Sequence, residues 1–159
     1  MAKVIADQPV VVQTWQPWVR VGLIGAVVGI IFWILTIILT KYVVEPLACR
    51  QLMNAAVCIN STGLGGNIAT IMAAILAVLI LVRQNVTRPI ILAVASAALL
   101  WDLSAWTQGL FWLESFAWAL LLYAGSYLLF AYIARYFRLW VVIATSLAII
   151  LIIRIALVL

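Results

Sequence analysis

The chain has 159 residues, 69% of them hydrophobic and 8% charged, with a mean hydropathy of +1.32. A soluble domain is about half apolar and a quarter charged, so lipid is the solvent for most of this chain. The formal charge of +5 does not point to nucleic acid, because the nine basic residues stand singly or in pairs at the ends of apolar runs and form no clustered basic face. Histidine is absent and the acids are Asp7, Glu45, Asp102 and Glu114, which removes most metal-ligand sets and acid–base designs. No metal, cofactor or catalytic centre is expected.

At about 20 apolar residues per crossing, five helices consume nearly the whole chain. The expected fold class is all-α: a polytopic integral membrane helix bundle of about five transmembrane helices. Four spans are the alternative, if the Arg135 to Arg138 interruption is a kink. The spans fall at about 21–43, 64–82, 89–108, 116–134 and 139–159, in one transmembrane domain over 21–159.

Residues 1–20 are too polar to cross a bilayer and read as an interfacial arm, with Trp15 and Trp18 at headgroup depth. They do not read as a cleaved signal, since the apolar run that follows is too long and lacks a small-x-small cleavage site. In the first span, Gly25 and Gly29 form a G-x-x-x-G pair where another helix backbone can approach. Lys41 and Glu45 are spaced to pair across a turn, and Pro46 closes the helix.

An outer loop follows at 44–63, holding both cysteines, Cys49 and Cys58, and the sequon Asn60-Ser61-Thr62. Gly63, Gly65 and Gly66 read as a flexible exit from this loop; without a Lys-Ser/Thr pair or a preceding strand they are no phosphate loop. Alanines at 69, 73, 74 and 77 mark the second span, which stops at Arg83. A short turn leads to Pro89, tolerated in the first turn of the third helix.

The third span carries Ala95, Ala98, Asp102 and Ala105 on one face by helical spacing, so Asp102 is expected to face neighbouring helices rather than lipid. After it comes an aromatic-rich hairpin, in which Trp106 and Trp112 read as interfacial anchors. The fourth span contains Ala124-Gly125-Ser126, and the fifth has Arg154 as its single charge.

With five spans, Lys3 with Arg20, Arg83 with Arg88, and Arg135 with Arg138 all fall on one side, which the positive-inside rule makes cytoplasmic. The expected location is a plasma or inner membrane, with the cysteine loop on the extracytoplasmic side. Oxidising conditions there favour a Cys49–Cys58 disulfide. An eight-residue spacer and the lack of further cysteines argue against a redox-active dithiol.

Asp102 lies 14 residues beyond Arg88, and Arg154 lies 16 beyond Arg138, so both sit roughly 21–24 Å from the basic ends of their helices. Two readings follow. Asp102 and Arg154 form a structural ion pair between the third and fifth helices, or Asp102 is an ion or proton site in a transport path. The expectation drawn first is a non-catalytic subunit that packs into a larger membrane assembly, its partners being the lipid bilayer and other membrane subunits or copies of itself. A small homo-oligomeric transporter or channel using Asp102 is the alternative, and a membrane thiol oxidoreductase the third.

Overall fold

The computed structural model describes residues 16–47, 60–86, 88–136 and 139–158. The arm with Trp15, the cysteine loop with Cys49 and Cys58, the Phe137–Arg138 junction and the side chain of Arg154 lie outside the described residues. Every regular element among those described is helical: α1 (Gln16–Leu39), a π-helical turn (Thr40–Val44), α2 (Ser61–Arg83), α3 (Pro89–Leu99), α4 (Leu103–Trp106), α5 (Trp112–Tyr136) and α6 (Leu139–Val158). Four stretches are long and apolar enough to cross a membrane, at Trp18–Val44, Ser61–Arg83, Pro89–Trp106 and Trp112–Arg135. A fifth, shorter apolar stretch covers Trp140–Ile153 within α6.

Three boundaries differ from the sequence expectation. Helix α1 starts at Gln16, so Trp18 and Arg20 belong to its first turns rather than to a surface arm; Pro17 is harmless there, because a first-turn N–H has no helical partner to lose. Helix α2 starts at Ser61, so Gly63, Gly65 and Gly66 are not a flexible loop exit but its opening turns, and all three are buried. The 89–108 run is not one helix. It breaks between Leu99 and Leu103, with Asp102 in the left-handed region at φ 67°.

The helices α1, α2, α3 and α5 form a closed ring in which α1 packs most extensively on α5 and then on α2, while α3 joins α2 to α5. Helix α6 lies outside the ring, against α3 and α5. Between helices in lipid, association depends on close packing rather than on hydrophobic driving force, so small residues decide where backbones meet. A Cβ on Gly25 would meet the Ala124 Cα and the Tyr123 carbonyl oxygen at 2.9 Å, and one on Gly29 would meet the Ala119 carbonyl oxygen at 2.8 Å. The G-x-x-x-G face of α1 is therefore the seat of α5. Ala69, Ala73 and Ala77 form the buried stripe of α2, and Tyr123, Tyr127 and Phe130 fill the middle of the ring.

The arginine-bearing helix ends converge at one end of the bundle. The Arg135 guanidinium lies 5.8 Å from the Trp18 ring, Trp18 packs against Tyr132, and Arg88 Nη1 donates to the Ala134 carbonyl at 3.4 Å. The turn from α2 to α3 is a Schellman closure: the Val86 N–H donates to the Leu81 carbonyl and the Asn85 N–H to the Val82 carbonyl, each at 3.1 Å. Asn85 takes the left-handed conformation this requires, at φ 51°.

Gly25→Ala and Gly29→Ala are each expected to destabilise the fold by about 1–3 kcal/mol, because a methyl group there forces the α1 and α5 backbones apart. Gly125→Ala, whose added Cβ meets nothing within 4 Å, should leave the melting temperature unchanged or slightly raised. Thermal unfolding in mild detergent, followed by circular dichroism, separates the two outcomes.

Candidate functional site

The break in the third span starts from local chemistry. At the end of α3 the Leu100 N–H still donates to the Ser96 carbonyl at 3.0 Å, and the Leu103 N–H then donates back to the Leu100 carbonyl at 3.1 Å, tightening the chain into a turn. Asp102 absorbs the reversal. Aspartate is among the few non-glycine residues that enter the left-handed region readily. Its carbonyl accepts from the Ala105 and Trp106 N–H groups at 2.9 and 3.2 Å and so opens α4.

An aspartate at a helix start ordinarily caps the first N–H groups with its own side chain. Asp102 makes no such bond. Its carboxylate is turned across the bundle to α2, where Asn67 Nδ2 donates to Oδ1 at 2.9 Å, while the Asp102 backbone N–H donates to Asn67 Oδ1 at 3.3 Å. The two residues thus satisfy each other reciprocally and hold the broken span against α2.

Asn67 is a residue the sequence reading missed. It stands 16 residues from Arg83, about 24 Å along α2 from the basic end and hence level with Asp102. The same counting that matched Asp102 to Arg154 could have found it. Whether Arg154 also reaches Asp102 involves a side chain outside the described residues.

Beyond the break, toward the end opposite the arginines, lies a half-open cavity of about 380 Å³. Its floor is Phe32, Trp33 and Ala119, its walls carry Thr36, Thr40, Ser104 and Thr107, and Lys41, Glu45 and Gln108 stand at its exposed rim. The side chains of Thr36 and Thr107 donate to the Phe32 and Leu103 carbonyls at 2.9 and 3.1 Å, the usual way a hydroxyl is satisfied inside a membrane helix. Thr40 and Ser104 differ: they are only 9% and 6% exposed, yet their hydroxyls have no hydrogen-bond partner among the described residues.

Close glycine contacts hold these two hydroxyls in place. Gly65 lies under Thr40, where an added Cβ would stand 3.1 Å from the Thr40 Cα and N, and Gly66 lies under Ser104. The π-helical turn begins at Thr40, a local widening of a kind found frequently at functional sites.

The other expected site residues divide. Ala95 is buried at 6% exposure and Ala98 is half-buried, but Ala105 is exposed, because the break rotates it away from the face it was expected to share. Trp106 and Trp112 are exposed near the end opposite the arginines, and Trp18 is half-buried at the arginine end. Lys41 and Glu45 form no ion pair among the described residues; both are exposed at the cavity rim. No group of three metal-ligating side chains occurs among the described residues.

Comparison with protein-family profiles, with curated proteins and with solved structures finds no match to this chain. Its class is defined by the fold alone: an all-helical bundle with four membrane-crossing-length apolar helices and a fifth shorter one.

Asn67→Ala is expected to cost about 1–3 kcal/mol by leaving the Asp102 N–H and carboxylate short of a partner. Asp102→Asn keeps an Oδ1 acceptor and tolerance of the left-handed backbone, so its melting temperature should stay near that of the unaltered chain. Thermal melts of both variants in detergent test the pair.

Proposed function

We propose that this chain is a small non-catalytic integral membrane transporter in which Asp102 is the ion or proton site. The observation that carries the reading is the broken third span. Non-helical backbone at membrane depth is tolerated only where protein buries it or where it lines a cavity, and discontinuous helices mark binding sites in many transporters. Here the break holds a carboxylate within the apolar span Pro89–Trp106, where an ionised group is costly unless it is partnered. Asn67 Nδ2, donating to Oδ1, partly offsets that cost.

On this reading the arginine end faces the cytoplasm, following the positive-inside rule, and the cavity opens on the extracytoplasmic side. A Cys49–Cys58 disulfide would staple the loop there. The second reading is a packing subunit of a larger membrane assembly. It draws on α6, whose outer face leaves Ala144 and Ala148 exposed at the four-residue spacing that lets another helix approach.

The test is proton flux into liposomes containing the purified chain and an internal pH-sensitive dye. Flux is expected with the unaltered protein and at least a tenfold loss with Asp102→Asn, a variant expected to fold normally. Equal flux from both would sink the assignment of Asp102. Absence of flux, together with co-purification of other membrane polypeptides in fixed ratio by native mass spectrometry, would favour the subunit.

A further inference from the structure

We infer that the arginine end of α5 is a docking surface for one phospholipid with an anionic headgroup, whose phosphate meets Arg135 and whose acyl chain lies along the outer face of α5 over Gly125. The inference needs only the membrane class of the fold and is independent of the transport reading.

Charge selects the headgroup. Each of the four ring helices carries one arginine at this end: Arg20 in the first turns of α1, Arg83 closing α2, Arg88 preceding α3 and Arg135 in the last turn of α5. Among the described residues no carboxylate stands with them, since Glu45, Asp102 and Glu114 all lie toward the opposite end. Cations on adjoining helix ends repel one another, and an anion among them relieves the repulsion. Arginine, unlike lysine, also presents a planar fork that takes two phosphate oxygens at once.

The fold positions two of these side chains, each in a different way. Arg88 Nη1 donates to the Ala134 carbonyl, so the last turn of α5 already has a cation on its carbonyl end. The Arg135 guanidinium instead lies 5.8 Å from the Trp18 ring, and Trp18 packs on Tyr132. A ring face attracts the charge without engaging the N–H groups as a carbonyl would, and Arg135 donates to no acceptor among the described residues. Those donors stay available to a phosphate at headgroup depth.

Below Arg135 the outer face of α5 suits a hydrocarbon chain. Tyr132, Leu129, Gly125 and Leu121 follow Arg135 at three- and four-residue spacing, and all are exposed. A Cβ built on Gly125 meets nothing within 4 Å, so the face is notched between Leu129 and Leu121. A cation above an apolar notch fits a molecule that joins an anion to an acyl chain. A second copy in the same orientation would set its own arginines against these, so charge favours lipid over self-association on this face.

The full chain is reconstituted with equal parts of phosphatidylglycerol, phosphatidylethanolamine and phosphatidylcholine, extracted in mild detergent and analysed by native mass spectrometry. Retention of one phosphatidylglycerol per chain, in preference to both zwitterionic lipids, is expected. Arg135→Gln should lower that preference about fivefold, the contribution of one basic side chain at an anionic surface. Gly125→Leu should lower retention several-fold without lowering the melting temperature, and Arg135→Gln carries the test if that variant fails to fold. Arg20→Gln, exposed on another helix, should lower retention less than Arg135→Gln, and Lys41→Gln at the opposite end should leave it unchanged. The inference is overturned if the three lipids are retained equally, if Arg135→Gln retains phosphatidylglycerol like the unaltered chain, or if Arg20→Gln costs as much. A dimer that Gly125→Leu dissociates would also overturn it, by giving the face to a second copy.

Discussion

The reciprocal pair of hydrogen bonds between Asn67 and Asp102 is the constraint around which the end of this bundle away from the arginines is built. In hydrocarbon no water satisfies a polar group, so a carboxylate and a non-helical N–H must find partners within the protein or leave the membrane. Asn67 supplies a donor and an acceptor from one side chain. That lets the third span stop, reverse at a left-handed residue and restart as a short helix without stranding the Asp102 N–H.

The restart has a geometric consequence. Had the third span continued straight, Ser104 would follow the helical course set by α3. The turn instead carries α4 over Gly66, and the absence of a Cβ there allows Ser104 to settle against α2. Gly65 does the same for Thr40 at the point where α1 widens into its π turn. Two helices thus lose their regularity at the same level, against two successive glycines of a third.

The rest of the ring follows the economy of membrane packing. Gly25 and Gly29 bring α1 and α5 into backbone contact, alanines do similar duty along α2, and hydroxyls at Thr36, Thr70, Thr107, Ser126 and Thr145 return their protons to nearby carbonyls of their own helices. The hydroxyls of Thr40, Ser96, Ser104 and Ser146 instead have no hydrogen-bond partner among the described residues. Those of Thr40 and Ser104 lie in the notches left by Gly65 and Gly66 against α2, whereas the back-bonded hydroxyls serve the helices that carry them.

The sequence by itself determined the solvent, the helical class, the approximate spans and the end at which the arginines gather, because these depend on composition and on the length of apolar runs. It also marked Gly25 and Gly29 as a close-approach face and Asp102 as a residue in need of a partner, though it left the partner open. Only the tertiary structure decided that α5 sits on those glycines, that Asn67 clasps Asp102, and that Gly65 and Gly66 are packing surfaces in a helix rather than loop hinges. It also decided that the third span breaks. Local apolar periodicity runs through 89–108 without interruption, so nothing local ends the helix at Leu99. The turn is held by a bond to a residue 35 positions earlier in the chain, and an interaction of that range exists only once two helices are side by side.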